Sequence, residues 1–197
     1  MSSLPQSDKG DVIPISGTPY FLSPLQRSDL EALVRVCNDP DVFKFTLSVP
    51  KPYSLADGEY FLNHITKLPD HCVYAIRDPK GKYIGTIGLS VITPDKCQKR
   101  EVPEGSWEVG YYLAKEWRRK GVMSSAVQTI VEEVAFKRLG LKEIVGFPFT
   151  ENWASRRTLE KAGFVFLGEV KEPIDKLNEP GTKKRFWKLI KQRSRLN

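Results

Sequence analysis

Apolar and polar residues alternate along Trp107-Glu108-Val109-Gly110-Tyr111-Tyr112-Leu113, and this period of two predicts a β-strand. Apolar residues then recur every three to four positions, at Met123, Val127, Ile130 and Val134. This second pattern predicts a helix that begins near Gly121 and stops at Gly140. Between the two elements lies a cationic turn, Arg118–Ser124, at the place where a helix exposes its first unpaired N–H groups. Such a turn suits an anion such as pyrophosphate.

The pattern before this central unit is shorter and more broken. It predicts, in order, a strand at Tyr20–Leu25, a helix from Ser28 or Asp29 that ends at Asn38-Asp39-Pro40, a helix from Ser54, and strands at Cys72–Ile76 and Tyr83–Val91. The last two strands flank a turn, Asp78-Pro79-Lys80-Gly81, whose residues are typical of a β-hairpin. Two segments, Val42–Tyr53 and Pro94–Gly105, are predicted to be loops because the first is irregular and the second polar.

After the central helix the pattern predicts a strand at Glu143–Phe149, a helix from Asn152 to Ala162 closed by Gly163, and strands at Phe164–Val170 and Arg185–Ile190. The order of elements predicts an α/β fold with a mixed, mostly antiparallel sheet of seven strands and helices on both faces. Residues 1–18 are expected to be a flexible or loosely docked arm, residues 19–191 one domain, and residues 192–197 a basic tail.

Composition narrows the class of protein. The 197 residues, of which 40% are hydrophobic and 28% charged, are typical of one globular domain. No apolar run is as long as a membrane span, and no secretory signal is visible. Three cysteines without a CxxC spacing argue against disulfides and a zinc site and favour a reducing, cytoplasmic location. The net charge of +7 would suit a polyanion, yet no nucleic-acid motif accompanies it. We therefore expect a phosphorylated cofactor rather than nucleic acid or membrane.

Three stretches together resemble the GNAT superfamily of N-acetyltransferases. They are the strand end Gly110–Leu113, the turn Arg118–Ser124, and the segment from Thr150 to Phe164. The spacing from asparagine to serine before the Glu-Lys-Ala-Gly-Phe ending is most similar to the ribosomal-protein N-terminal acetyltransferase branch. The resemblance covers roughly residues 20 to 190. One position departs mildly, because Met123 stands where the turn usually has glycine or alanine.

The resemblance implies the GNAT fold, acetyl-CoA as the co-substrate, and no metal. It also implies two neighbouring strands that splay apart, so that main-chain groups of Tyr111 and Leu113 bind the pantetheine arm. The turn would hold the pyrophosphate and Asn152 would lie near the thioester. The predicted cofactor-binding residues are Tyr111, Tyr112, Leu113, Arg118, Arg119, Lys120, Gly121, Val122, Met123, Ser124 and Asn152.

Two catalytic candidates follow. Glu108 lies on the strand that enters the cleft and is a candidate base, directly or through a water; the alternative is a solvent-facing strand carboxylate. By resemblance, Ser155 lies beside the cofactor sulfur as a donor; the alternative is a hydroxyl that satisfies the helix start. His64, His71 and Cys72 are interpreted as structural or exposed.

The leading hypothesis is therefore transfer of acetyl from acetyl-CoA to a primary amine, a protein N-terminus or a small molecule, by direct attack. The alternative is a catalytically silent CoA-binding or ribosome-associated module. The protein is expected to be a monomer or homodimer. The resemblance implies acceptor walls at Phe43–Tyr53 and Lys171–Lys184, where three carboxylates are expected to attract a cationic amine: Glu172, Asp175 and Glu179.

Overall fold

The computed structural model describes residues 11–194. Its strands are β1 Ile13–Pro14, β2 Phe21–Ser23, β3 His71–Arg77, β4 Tyr83–Val91, β5 Trp107–Leu113, β6 Glu143–Gly146, β7 Val165–Glu169, β8 Ile174–Asp175, β9 Lys183–Lys184 and β10 Trp187–Gln192. Eight of them form one sheet in the order β1-β2-β3-β4-β5-β6-β10-β7, while β8 and β9 form a separate hairpin.

The helices are α1 Leu30–Cys37, α2 Pro40–Lys44, α3 Leu55–Asn63, α4 Pro94–Arg100, α5 Val122–Thr129 and α6 Trp153–Lys161. After α5 the chain continues in a π-helical stretch, Ile130–Arg138. The predicted helix starts at Ser54 and Asn152 are confirmed, whereas Asp29 makes no side-chain cap hydrogen bond at the start of α1. Ser54 accepts from the Asp57 N–H at the start of α3, and Asn152 accepts from the Ser155 N–H at the start of α6.

Neighbouring strands of the main sheet are antiparallel except β5 and β6, which are parallel. The predicted mixed, mostly antiparallel sheet is thus confirmed. The sheet has eight strands rather than seven, because Ile13–Pro14 pairs with β2 inside the segment expected to be an arm. Ile13 and Ile15 are buried, so residues 11–18 are docked; residues 1–10 and 195–197 lie outside the described residues.

Helices cover both faces of the sheet, as predicted. On one face the α5 side chains Val127, Ile130 and Val134 are fully buried against strand residues such as Ile87. On the other face Leu33 of α1 packs in a second cluster of buried residues together with Ala75. Strands β5 and β6 therefore lie between two packed layers.

Two segments predicted as loops contain helices. Pro40 begins α2 rather than ending a helix, because Asp39 accepts from the Asp41 N–H at 2.8 Å and proline is favoured at the first helical position. Helix α4 also begins with a proline, Pro94, although Thr93 before it makes no side-chain cap hydrogen bond. The prediction of a loop at Pro94–Gly105 was wrong. Helix α4 is polar and buries only Cys97 and Arg100, so the sequence has no apolar stripe that would indicate a helix.

Candidate active site

The strands β5 and β6 separate almost at once, since they share a single paired position near the start of β5 within residues 11–194. On its other side β5 pairs with β4 along its whole length. The Ala114 N–H donates to the Ile84 carbonyl at 2.9 Å. Because main-chain polar groups alternate sides along a strand, those of Tyr111 and Leu113 point toward β6. They face the gap, as the resemblance implied.

A cavity of about 1020 Å³ opens at this gap. It is one continuous space that runs from the cationic turn, past β5 and the start of α6, to a group of aromatic side chains beneath the β8–β9 hairpin. The predicted site residues that line it are Glu108, Tyr111, Tyr112, Leu113, Arg118, Arg119, Gly121, Val122, Met123, Ser124, Asn152 and Ser155. Lys120 is not among the lining residues; its Nζ lies 5.1 Å from the centre of the Trp117 ring.

The turn before α5 has the geometry of an anion site. Arg119 and Gly121 have positive φ angles of 63° and 78°, and for a residue other than glycine this conformation costs about 1 kcal/mol or more. A side chain added at Gly121 would meet no described heavy atom within 4 Å. The first N–H groups of α5 therefore face open space at the positive end of the helix dipole, which fits the pyrophosphate of CoA.

The side chain of Arg118 binds other residues of the protein. Its Nε donates to the Leu113 carbonyl at 3.0 Å, Nη1 to Asp41 at 2.8 Å, and Nη2 lies 3.1 Å from Asp39. Burial acts to raise the pKa of Asp39, but hydrogen bonds from Arg118 and the Asp41 N–H outweigh it and hold that pKa below its usual value. Arg118 thus fixes the end of β5 to α2 and leaves the exposed Arg119 as the freer cation.

Two of the predicted cofactor residues have side chains that belong to the core. Met123 is buried among residues packed against α5. Tyr112 points to the opposite face from Tyr111 and packs against the α1 cluster. Burial and neighbouring Tyr83 and Cys37 raise the pKa of Tyr112 well above its usual value.

Ser155, Tyr111 and Asn152 meet at the middle of the cavity. The Tyr111 hydroxyl lies 2.9 Å from Ser155 Oγ and also donates to the Ser155 carbonyl at 3.2 Å. Asn152 accepts from the Ser155 N–H at 3.0 Å. Burial raises the pKa of Tyr111, so its hydroxyl stays protonated at neutral pH. The structure therefore joins the predicted donor Ser155 to a second hydroxyl whose side chain the sequence did not single out.

Glu108 also lines the cavity, but it is not free. Arg100 Nη1 lies 2.5 Å from Glu108 Oε2. Arg100 is only 3% exposed, and its guanidinium carbon lies 4.9 Å from the ring centre of Phe147 and 5.9 Å from that of Phe186. Its Nε has no hydrogen-bond partner within residues 11–194. Sequence reasoning missed Arg100; the Thr93-Pro94-Asp95 helix start was the signal that could have placed it on a helix.

The far part of the cavity, here called the aromatic end, consists of Phe45, Leu47, Phe149 and Phe186. The rings of Phe149 and Phe186 meet edge to face at 4.8 Å, and those of Phe45 and Phe149 lie 6.5 Å apart. Phe45 and Leu47 belong to the first predicted acceptor wall, while Phe149 follows β6 and Phe186 precedes β10. The aromatic end is therefore an apolar chamber whose residues are distinct from those of the turn.

The three carboxylates expected to attract the acceptor do not line the cavity. Of the residues in the β8–β9 hairpin only Leu177 does. Glu172 and Asp175 are exposed, and Glu179 binds Lys176 at 2.7 Å. The expectation that these carboxylates draw an amine into the site is therefore not supported, because their side chains lie outside the chamber.

His71 was interpreted as structural or exposed, yet it lines the cavity and its Nδ1 lies 2.8 Å from Asp70. Cys72 is buried as expected. Within residues 11–194, no group of three or more His, Cys, Asp or Glu side chains could hold a metal ion. None of the helices in that same range has the length and apolar character needed to cross a membrane.

The acetyltransferase (GNAT) domain family matches residues 20–165 of the chain. The chain belongs to this family. The match confirms the predicted class, an acetyl-CoA-dependent N-acetyltransferase. The chain is 26% identical over 157 residues to the probable N-acetyltransferase YjcK of Bacillus subtilis (strain 168), which covers 76% of this chain and 82% of that protein.

Solved structures confirm the fold. An acetyltransferase (GNAT family) from Bacillus anthracis is 21% identical, with a TM-score of 0.72 over 92% of this chain and 98% of that one. RimL, a ribosomal L7/L12 alpha-N-protein acetyltransferase in complex with coenzyme A, is 16% identical, with a TM-score of 0.74 over the same shares. At these identities the likeness establishes the GNAT fold and leaves the acceptor open.

Proposed function

We propose that this enzyme transfers the acetyl group of acetyl-CoA directly to a primary amine, with Ser155 and Glu108 as the catalytic residues. The observation that carries the proposal is that the Tyr111–Ser155 hydroxyl pair lines the same cavity as the anion-binding turn and the aromatic end. With phosphates at the turn and the arm along β5, the thioester would come to lie beside that pair.

A weak general base is sufficient when the acceptor is an α-amine. An α-amine with a pKa of about 8 is about one-tenth neutral at pH 7. Its lone pair attacks the thioester carbonyl carbon, the C–S bond breaks, and the amine nitrogen loses one proton. Glu108 would receive that proton, directly or through a water, on the carboxylate oxygen that Arg100 does not bind.

The leaving thiolate needs a proton or a hydrogen bond. Ser155 Oγ would supply it, and Tyr111 would support Ser155 because its hydroxyl remains protonated and lies 2.9 Å away. Asn152 holds the first turn of α6 in place by accepting from the Ser155 N–H, so the hydroxyl is oriented before the substrates bind. The main-chain N–H groups of Lys120 to Ser124 would hold the pyrophosphate, with the exposed Arg119 beside them to neutralise its charge.

Two acceptor types remain within this proposal: a protein N-terminus, as in the ribosomal-protein branch that the spacing from Asn152 to Ser155 resembles, or a small amine. The likeness to RimL supports the first only at the level of fold. The alternative is a silent CoA-binding module, which the paired hydroxyls disfavour. A cytoplasmic location fits the three buried, unbridged cysteines.

Thiol release from acetyl-CoA, measured with a panel of amines and peptides, tests the proposal. We expect Ser155→Ala and Tyr111→Phe each to lower kcat by about tenfold to a hundredfold with little change in CoA affinity. Ser125→Ala, a serine of α5 that does not line the cavity, should leave kcat unchanged. CoA binding without amine-dependent thiol release from the unaltered enzyme would favour the silent module instead.

A further inference from the structure

We infer that the acceptor is a compact primary amine with an apolar or aromatic body and no second positive charge. This inference rests on the proposed function and names the acceptor class for the same site. Three independent features of the chamber carry it: its closed side, its apolar lining and its charges.

The location of the acceptor follows from the shape of the cavity. The turn at Gly121 suits the phosphates, and the main-chain groups of Tyr111 and Leu113 suit the arm between phosphate and thioester. An amine that attacks the thioester must approach from the remaining side. That side is the aromatic end.

The aromatic end is closed on one side by Asn178. The Asn178 Nδ2 donates to the Thr46 carbonyl at 3.3 Å and to the Val49 carbonyl at 2.6 Å, and its main-chain N–H donates to the Leu47 carbonyl at 2.9 Å. The opposite orientation of the side-chain amide would set its oxygen against two carbonyl oxygens, which fixes the direction of the bonds. Asn178 therefore joins the two acceptor walls to each other.

Lys176 provides a second connection between the walls. It is only 2% exposed, its Nζ lies 4.0 Å from the centre of the Phe43 ring, and its charge is met by Glu179 at 2.7 Å. Opening the walls would separate a buried ammonium from the ring beneath it. An extended peptide that passes between the walls would have to break both connections, whereas a compact amine needs neither to move.

The lining of the aromatic end favours an acceptor whose body is apolar. Phe45, Leu47, Phe149 and Phe186 form the chamber, and Leu177 lies at its rim. Burying apolar groups against such side chains contributes about 25 cal/mol per Å² of apolar surface removed from water.

The lining offers a second ammonium no free carboxylate. Within the described part of the chain, the only carboxylates among the lining residues are those of Asp41 and Glu108. Both carboxylates are already paired, Asp41 with Arg118 and Glu108 with Arg100. A polyamine or an aminoglycoside would therefore bring several positive charges into a cavity without a spare carboxylate.

A panel of four acceptors tests this inference in the full-length enzyme: 2-phenylethylamine, spermidine, kanamycin and a peptide with N-terminal alanine. We expect kcat/KM for 2-phenylethylamine to exceed the other three values at least tenfold. A higher value for the peptide or for either polycation would overturn the inference and leave the proposed transferase function standing. Thiol release with none of the four, despite CoA binding, would overturn the proposed function itself.

Two pairs of variants separate the causes. Leu177→Glu adds a carboxylate at the rim and should lower the KM for spermidine about threefold or more, whereas Leu177→Gln should not; equal effects of the two would refute the charge argument. Asn178→Ala should narrow the preference for 2-phenylethylamine over the peptide at least threefold, whereas Asn63→Ala, at an exposed asparagine that does not line the cavity, should not. An unchanged preference in an Asn178→Ala enzyme that still binds CoA would refute the closed wall.

Discussion

The two ends of the cavity are built in different ways. At the turn, the binding groups are main-chain N–H groups of one short segment, held by the left-handed residues Arg119 and Gly121 and by the start of α5. At the aromatic end, they are side chains from separate segments, brought together by Asn178 and by edge-to-face rings. A site made of main-chain groups suits a constant ligand group such as pyrophosphate. A chamber made of side chains can change one residue at a time without altering the pyrophosphate site.

The largest expected effect tests the turn. Gly121→Val should weaken CoA binding about a hundredfold, or about 2.7 kcal/mol, because a β-branched residue is strained at a φ of 78° and its side chain would fill the space above the α5 N–H groups. Calorimetry with CoA measures this loss. Gly140→Val is the matched control, since Gly140 also has a positive φ, of 66°, but lies beyond the end of the helix. Equal losses in both variants would mean strain alone is responsible.

The turn end could be predicted from sequence because its determinants are consecutive. A strand pattern, a cationic segment with Gly121, and a helical stripe lie within some thirty-five residues, and their local conformation decides the site. Even there, Arg118 was assigned to the cofactor, although its guanidinium group binds Leu113, Asp41 and Asp39. The two acidic partners lie almost eighty positions away in the chain, and no local pattern indicates a contact of that kind.

A smaller effect concerns the wall beside the aromatic end. Arg100→Met should lower the free energy of unfolding by about 2 kcal/mol, because it leaves the half-buried Glu108 carboxylate without its partner. Urea denaturation measures this change. Arg35→Met, an exposed arginine of α1, should change stability by less than about 0.5 kcal/mol. If Arg100→Met also cost no more than that, the ion pair would not stabilise the fold.

The aromatic end was harder to predict for a physical reason. Phe45, Leu47 and Leu177 of the two expected acceptor walls line the cavity, but Arg100, the Asn178 bonds and the second hydroxyl at Tyr111 are tertiary contacts between distant segments. The carboxylates of the hairpin were conspicuous in the sequence, yet they point outside the chamber. Charge composition alone does not say which side of a hairpin faces a cavity.

The smallest expected effect is a pH dependence at the turn end. The pKa of Asp39 is held below its unfolded value of about 3.9, so its interactions stabilise the fold above that pH and are lost as the pH falls through the lower, folded value. In urea denaturation between pH 6 and pH 3, the stability difference between the unaltered enzyme and Asp39→Asn should therefore be constant at first and shrink below about pH 4. A difference that does not change with pH would show that the Asp39 charge is not what stabilises α2.

The separation of the two ends is tested most directly by the steady-state kinetics of Phe149→Ala with both substrates varied. Phe149 is buried at the centre of the aromatic end and contacts the rings of Phe45 and Phe186, far along the cavity from Gly121. We expect the KM for the amine to rise about tenfold, or about 1.4 kcal/mol, while the dissociation constant of acetyl-CoA stays within about twofold. A parallel loss of acetyl-CoA affinity would contradict the account, because the cavity would then act as one undivided site.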